Sequence, residues 1–347
     1  MKKTLVAVAA MAVVTGAMAN VTIGGLVDQA LTSTKATTSG GVTTTTKSIR
    51  PNHNGSSELF FTGSEDLGDG MKASFRLGLN MTADDNGAST TTNSSANASN
   101  RISYVELSGG FGSVQLGQQW KPGFFVILAA DPTNLSGSSG IVGPGQMAAY
   151  TANSLTYNAP SFVPGLAIQY QMGRGEASAS NAGNSSGYSL TYNNGPLAVA
   201  YGAGKSTASA TSSTAFTTSV ATTNLGTLTI NSSVLNSTAT NVAYDLGMVK
   251  VNAYTATTKL AGTTSQHKGS GFGLSIPVNA STRLAVFSSG ATGTNGSGTQ
   301  EKEKGTKYAV FHNLSKRTMA YGFVGKSSTS GALNASGQTA FGLMHSF

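Results

Sequence analysis

Along Met71-Lys72-Ala73-Ser74-Phe75-Arg76-Leu77-Gly78-Leu79 every odd position is apolar, while Lys72, Ser74 and Arg76 share the opposite face. A period of two marks a β-strand with one greasy side. The same pattern ends the sequence. Phe341, Leu343 and Phe347 are large and apolar, whereas Ala340, Gly342 and Ser346 are small or polar. Met344 falls on the polar face there and His345 on the apolar one. An amphipathic ring at such a position suits a membrane–water boundary. Taken alone, these stretches fit two folds: an edge strand of a soluble sheet, or a strand that touches lipid on one side.

The pattern recurs with a rhythm of strand, short turn, strand, long loop. Predicted strands cover 21–28, 58–63, 71–79, 101–108, 113–119, 155–157, 166–172, 188–192, 197–204, 242–246, 249–254, 272–276, 283–288, 308–313, 319–324 and 339–347, sixteen in all. Tight turns fall at 66–70, 109–112, 158–165, 193–195, 247, 278–281 and 314–317. Long polar loops cover about 32–57, 81–99, 121–152, 175–185, 205–237, 259–268, 290–304 and 327–337. No run of about 18 apolar residues follows residue 19, so no transmembrane helix is expected. Sixteen polar faces cannot be buried in a soluble core without partners. Turned toward a water-filled lumen they need none, and closing the sheet removes the strand edges that lipid would leave unpaired. The expected fold is all-β, a 16-stranded antiparallel transmembrane β-barrel with short periplasmic turns and long extracellular loops. Tyr104, Phe111, Tyr157, Phe162, Tyr188, Tyr192, Tyr244, Tyr321 and Phe347 sit near strand ends, where interfacial girdles form.

The amino-terminal stretch reads differently. Met1-Lys2-Lys3, the apolar run Leu5 to Val14 and the box Ala17-Met18-Ala19 have the form of a secretory signal peptide. Residues 1–19 are therefore expected to be removed, leaving a barrel domain of residues 20–347. That domain has 328 residues (347 − 19), about 20 per strand plus connection. Its net charge falls from +8 to +6 as Lys2 and Lys3 leave. The chain has no cysteine, so disulfides and thiolate metal sites are excluded. Charged residues make up only 10%, against about 25% in ordinary soluble domains. Disorder would pair low hydrophobicity with high net charge and few aromatics; a barrel spreads its apolar residues over alternating positions.

Several stretches resemble the general porins of Gram-negative bacteria, of the β-proteobacterial type. They are Phe61-Thr62-Gly63-Ser64-Glu65-Asp66-Leu67-Gly68, Arg101-Ile102-Ser103-Tyr104-Val105-Glu106-Leu107, 109–117, Asn153-Ser154-Leu155-Thr156-Tyr157, Leu314-Ser315-Lys316-Arg317-Thr318 and the final Phe347. The resemblance implies a homotrimer in the outer membrane that passes small hydrophilic solutes, often with anion preference. It implies a third loop, about 121–152, folded into the lumen as a constriction, which brings Lys121 and Asp131 to the pore. It also places Arg101 near the constriction and makes Phe347 a signal read by the barrel-assembly machinery, after passage with periplasmic chaperones. Two departures stand out. Glu58 occupies a place where such porins often carry an arginine, and the third loop is unusually apolar over Phe124–Leu128.

The alternation itself points Lys72 and Arg76 inward, and Lys250 and Arg283 lie on polar faces of their strands. Fixed cations in a narrow pore raise local anion concentration, and Glu58 and Asp131 oppose them. Weak anion selectivity is the expectation. The loop lysines Lys35, Lys302 and Lys304 suit acidic lipopolysaccharide. The basic residues are scattered singly, without the aromatic–basic platforms of single-strand nucleic-acid binders. Two other readings remain: a barrel serving as structural anchor or adhesin, and a barrel hydrolase. Only four histidines exist, His53, His267, His312 and His345, and no nucleophile elbow of the Gly-x-Ser-x-Gly type accompanies them. Asp84-Asp85-Asn86-Gly87 lacks the spaced acids and closing glutamate of a calcium loop. No cofactor, metal or catalytic residue is expected.

Overall fold

A computed structural model describes residues 21–37, 41–81, 98–134, 150–175, 183–207, 213–217, 224–229, 234–294, 298, 300–329 and 335–347. The expected signal peptide lies outside the described residues. The first elements are β1 (Thr22–Thr37), β2 (Thr43–Pro51), β3 (Glu58–Gly68), β4 (Met71–Met81), β5 (Ala98–Gly109), β6 (Gly112–Trp120) and the short helix α1 (Pro122–Leu128). Next come β7 (Tyr150–Asn158), β8 (Leu166–Gly173), β9 (Ser185–Asn194), β10 (Leu197–Thr207), β11 (Ser213–Thr217), β12 (Asn224–Thr229) and β13 (Val234–Asp245). The last are β14 (Lys250–Leu260), β15 (Gln266–Pro277), β16 (Thr282–Thr294), β17 (Gln300–Asn313), β18 (Thr318–Thr329) and β19 (Ala335–Ser346).

Every neighbouring pair in the main sheet is antiparallel, and β19 pairs with β1, which closes the wall. The backbone of Phe347 completes the seam, its N–H donating to Gly25 O and its carbonyl accepting from Gly25 N, both at 3.0 Å. The sheet contains 17 strands in 16 wall positions, because β2 and β3 share one. β2 pairs with the outer half of β1, from Gln29 to Thr37, and β3 with its inner half, from Thr22 to Leu26. β11 and β12 form a separate hairpin. The wall is the sixteen-stranded barrel that the alternation predicts.

The two faces follow sequence parity. On β19 Phe341 and Leu343 are 63% and 50% exposed, pointing to lipid, while Ala340 between β18 and β1 is 9% exposed. On β17 Tyr308 and Val310 face out, and Lys307, Ala309 and Phe311 are buried inside. Strands run further into the predicted loops than the apolar pattern shows. The stretch 32–57, read as a loop, is mostly strand, because β1 continues to Thr37 and β2 returns along it. Thr and Ser keep strand geometry above the apolar band, where neither face needs grease. Two girdle residues are also corrected. Tyr104 lies opposite Arg76 on the inner face, and Tyr321 is buried inside at 2% exposure.

Candidate functional site in the lumen

Two segments leave the wall and fold inward. The first is the turn 52–57, between β2 and β3. Asp28, inward-facing on β1 and fully buried, holds it. The Asp28 carboxylate accepts from Asn54 N (2.6 Å), Gly55 N (2.9 Å) and the Tyr321 hydroxyl (2.7 Å). Ser57 Oγ accepts from Asp28 N, and Asn52 Oδ1 accepts from Ser57 N. Asn52 adopts φ 60°, a left-handed conformation that asparagine tolerates well. His53 stacks parallel to Tyr321 and edge-on to Phe323. Burial pulls the His53 pKa below its ordinary value, with Asp28 opposing and Arg50 and Lys307 assisting that shift.

The turn sets β3 going, and its first residue is Glu58. The β3–β4 register puts Glu58, Phe60 and Arg76 on the inner face. Arg76 Nη2 reaches Glu58 Oε1 at 2.9 Å, and Arg101 Nε lies 3.3 Å from Glu58 Oε2. Arg101 Nη1 also donates to Ser56 O of the turn. Strict alternation from Tyr104 and Glu106 would send Arg101 outward. A register shift between Leu77 and Leu79 places Arg101 and Ile102 together opposite Gly78, and this bulge turns Arg101 into the lumen. The Arg76 guanidinium lies 4.1 Å from the centre of the Phe60 ring, and that of Arg101 5.6 Å from the Trp120 ring.

The second infolded segment follows Trp120. Pro122 sits at the helix start, where its missing N–H costs nothing. α1 packs Val126 and Ile127 on Ala200, Ala239 and Ala256 of the inner wall. A Cβ at Gly202 of β10 would lie 2.7 Å from Gly123 Cα, so glycine there lets the helix approach. After α1 the segment is fastened to the opposite side of the barrel. Lys307 Nζ pairs with Asp131 Oδ2 at 2.9 Å, with both side chains 1% exposed. Asp131 also accepts from Thr133 N, and Arg283 Nη1 donates to Pro132 O at 2.6 Å. Asn134 Nδ2 donates to Asn54 Oδ1 at 3.4 Å, where the two infolded segments meet.

The expected site residues therefore separate into groups. Arg76, Arg101 and Glu58 come together as one ion-pair cluster. Asp131 does not stand in the water path as an opposing charge; it is buried with Lys307. Arg283 reaches from the β15–β16 end of the wall to Pro132, its guanidinium 4.2 Å from the Phe311 ring centre. Lys72 and Lys250 lie beside short turns, at register positions opposite Asp66 and Asp245, away from the cluster. Lys121 precedes α1, where burial lowers its pKa. Phe347 is half-exposed at the barrel seam. Sequence reasoning missed Lys307, Asp28, Trp120 and Glu106, which accepts from Ser74 and Gln115 on the inner face. The parity of Tyr308 and Val310 carried the cue for Lys307. Among the described residues no group of three or more His, Cys, Asp or Glu side chains is placed to hold a metal ion.

A closed barrel narrowed by segments folded against its inner wall is a pore-type membrane barrel. A profile described as Gram-negative porin matches residues 4–332. The chain belongs to that family, and its location is the outer membrane. Outer membrane porin protein 32 of Delftia acidovorans is 31% identical over 220 residues, 58% of this chain and 59% of that protein's length. The fold superposes on an anion-selective porin from Comamonas acidovorans with TM-score 0.76 and 21% identity, over 95% of this chain and 100% of that one. Salmonella typhi OmpF, in a complex with daunomycin, gives 0.72 and 15% over 95% and 98%. Vibrio cholerae OmpT in its trimer form gives 0.63 and 13% over 94% and 99%.

Proposed function

We propose that the chain is a passive outer-membrane diffusion channel for small hydrophilic solutes and ions, weakly anion-selective and working as a homotrimer. One observation carries the selectivity: two guanidiniums and one carboxylate, Arg76, Arg101 and Glu58, are fixed together on the inner wall and sum to one positive charge. The preference is weak because Lys307 and Asp131 cancel as a buried pair, and the inward carboxylates of Asp28 and Glu106 offset the positive charge of Arg283 and the cluster. Much of the chain's positive excess lies on the outer face instead, at Lys35, Lys47, Lys268, Lys302, Lys304 and Lys326, all exposed. We read those lysines as contacts for lipopolysaccharide phosphates, Phe347 as the assembly signal, residues 1–19 as a cleaved signal peptide, and the protein as non-catalytic. The trimer reading is supported by the relative described in trimer form, and the anion preference by the relative described as anion-selective. The test is a zero-current potential across a planar bilayer under a salt gradient. An anion-selective sign is expected; a cation-selective sign overturns the selectivity, and absence of conductance overturns the channel.

A further inference from the structure

We propose that the constriction binds small aromatic carboxylates, a solute class set by an aromatic platform built beside the arginine cluster. This rests on the channel reading for its route but not for its binding site. Trp120 is the chain's single tryptophan. Its ring lies 4.5 Å from Tyr150, 5.2 Å from Phe124 in a parallel stack, and 5.4 Å from Phe125, between ring centres. The Arg101 guanidinium is 5.6 Å from the same ring and joins Glu58 and, through it, Arg76. Aromatic surface and fixed positive charge are thus continuous, from Phe125 through Trp120 and Arg101 to Arg76.

The apolar side is turned to water. α1 buries Val126 and Ile127 against the wall, yet leaves Phe125 on its free face 43% exposed inside the lumen. The open part of the Phe125 ring, beside Trp120, is apolar surface that a solute ring can cover. The charged side also has capacity. Arg76 engages Glu58 through Nη2, and a guanidinium carries five N–H donors. A planar acid satisfies both halves: its ring stacks on Trp120 and Phe125, and its carboxylate takes the net positive charge of the cluster. An aliphatic acid meets only the charge, and a neutral arene only the platform.

The experiment uses the purified full-length protein in detergent and in planar bilayers, with benzoate, cyclohexanecarboxylate and benzamide as probes. Because Trp120 is the only tryptophan, its fluorescence reports binding independently of any current. Benzoate is expected to perturb that emission and to reduce chloride-carried current at concentrations roughly three- to tenfold below those of cyclohexanecarboxylate, with benzamide weaker still. In Phe125→Ala, which removes a ring 43% exposed and leaves the Val126 and Ile127 packing of α1 in place, the advantage of benzoate over cyclohexanecarboxylate disappears. In Trp120→Ala the current block by benzoate falls to the same level. Equal potency of benzoate and cyclohexanecarboxylate, or an unchanged benzoate advantage in Phe125→Ala, overturns the inference. A wild-type protein that binds benzoate by fluorescence but carries no current leaves the site standing and removes the channel.

Discussion

At the inner-wall cluster one carboxylate, Glu58, is shared by two guanidiniums. Glu58 sits between two guanidiniums, so Glu58→Gln raises the local charge from +1 to +2 without moving the strand. A unit charge about 4 Å away in water is worth about 1 kcal/mol, up to roughly a fivefold change in local ion occupancy. The zero-current potential of Glu58→Gln should therefore shift further toward the anion limit, and an unshifted potential would place the cluster outside the conducting path. A second residue-scale prediction concerns Asp28. Its buried carboxylate depends on the Tyr321 hydroxyl as well as two turn amides. Tyr321→Phe removes that donor and should cost about 1–3 kcal/mol, read as a lower temperature for conversion of the folded band to the unfolded one on a denaturing gel. At this scale the sequence was partly legible. Parity alone oriented Arg76, because β4 runs without a bulge from its turn to Leu77. It could not orient Arg101, whose direction depends on an irregularity opposite Gly78 that leaves no mark in the hydrophobic pattern.

At the scale of elements, a buried acid helps to hold each infolded segment, Asp28 the turn 52–57 and Asp131 the segment after α1. Asp131→Asn leaves the Lys307 ammonium buried without its counter-charge, a change that costs about 3–5 kcal/mol for buried pairs. Loop detachment should follow, seen as noisier single-channel current and a lower unfolding temperature. Adding Lys307→Met should recover much of the loss, since the orphaned charge is gone; a double variant as unstable as the single one would mean the pair does not fasten the loop. The turn 52–57 should respond to acid. Burial holds the His53 imidazole neutral below its ordinary pKa of 6.5, so the turn-released state takes up a proton first. The stability contributed by the packed, neutral ring is full above pH 6.5 and is lost progressively as pH falls toward the lowered folded value. The unfolding temperature should therefore drop as pH falls below 6.5, and His53→Leu should flatten that drop. The elements themselves were legible wherever one face met lipid, as on β4 and β19. They were illegible where both faces met water. β2, with its Thr43-Thr44-Thr45-Thr46 run, has no greasy side to report it, and the inward course of 52–57 is set by a hydrogen-bond clamp from Asp28 on another strand.

On the scale of the whole molecule, positive charge is partitioned by face. Even positions of β15, β17 and β18 point outward, and among them Lys268, Lys302, Lys304 and Lys326 are exposed. The ladder aligns them: Lys268 and Lys302 both face Thr292 of β16, Lys304 faces Ser328, and Lys326 faces Thr306 two residues away. Below them on the same face lie Tyr308 and Val324, exposed and apolar. Lysine on the lipid face costs about 2–4 kcal/mol at the bilayer midplane and little near the interface. On the proposed lipopolysaccharide reading the group stands at headgroup level, with Tyr308 beneath it at the hydrocarbon boundary. In the outer leaflet, that level carries the phosphates of lipopolysaccharide. Replacing Lys302, Lys304 and Lys326 together by Gln removes three cations from one patch and leaves the lumen untouched. Co-purifying lipopolysaccharide per barrel should fall in that variant, and the added salt needed to strip what remains should fall with it, since exposed charge contacts are screened by ions. Single-channel conductance and the sign of the zero-current potential should stay those of the wild type, because the inner wall alone sets them. If lipopolysaccharide retention is unchanged, these lysines serve solvation alone; if conductance changes instead, the partition of charge between the two faces is not the one the register describes.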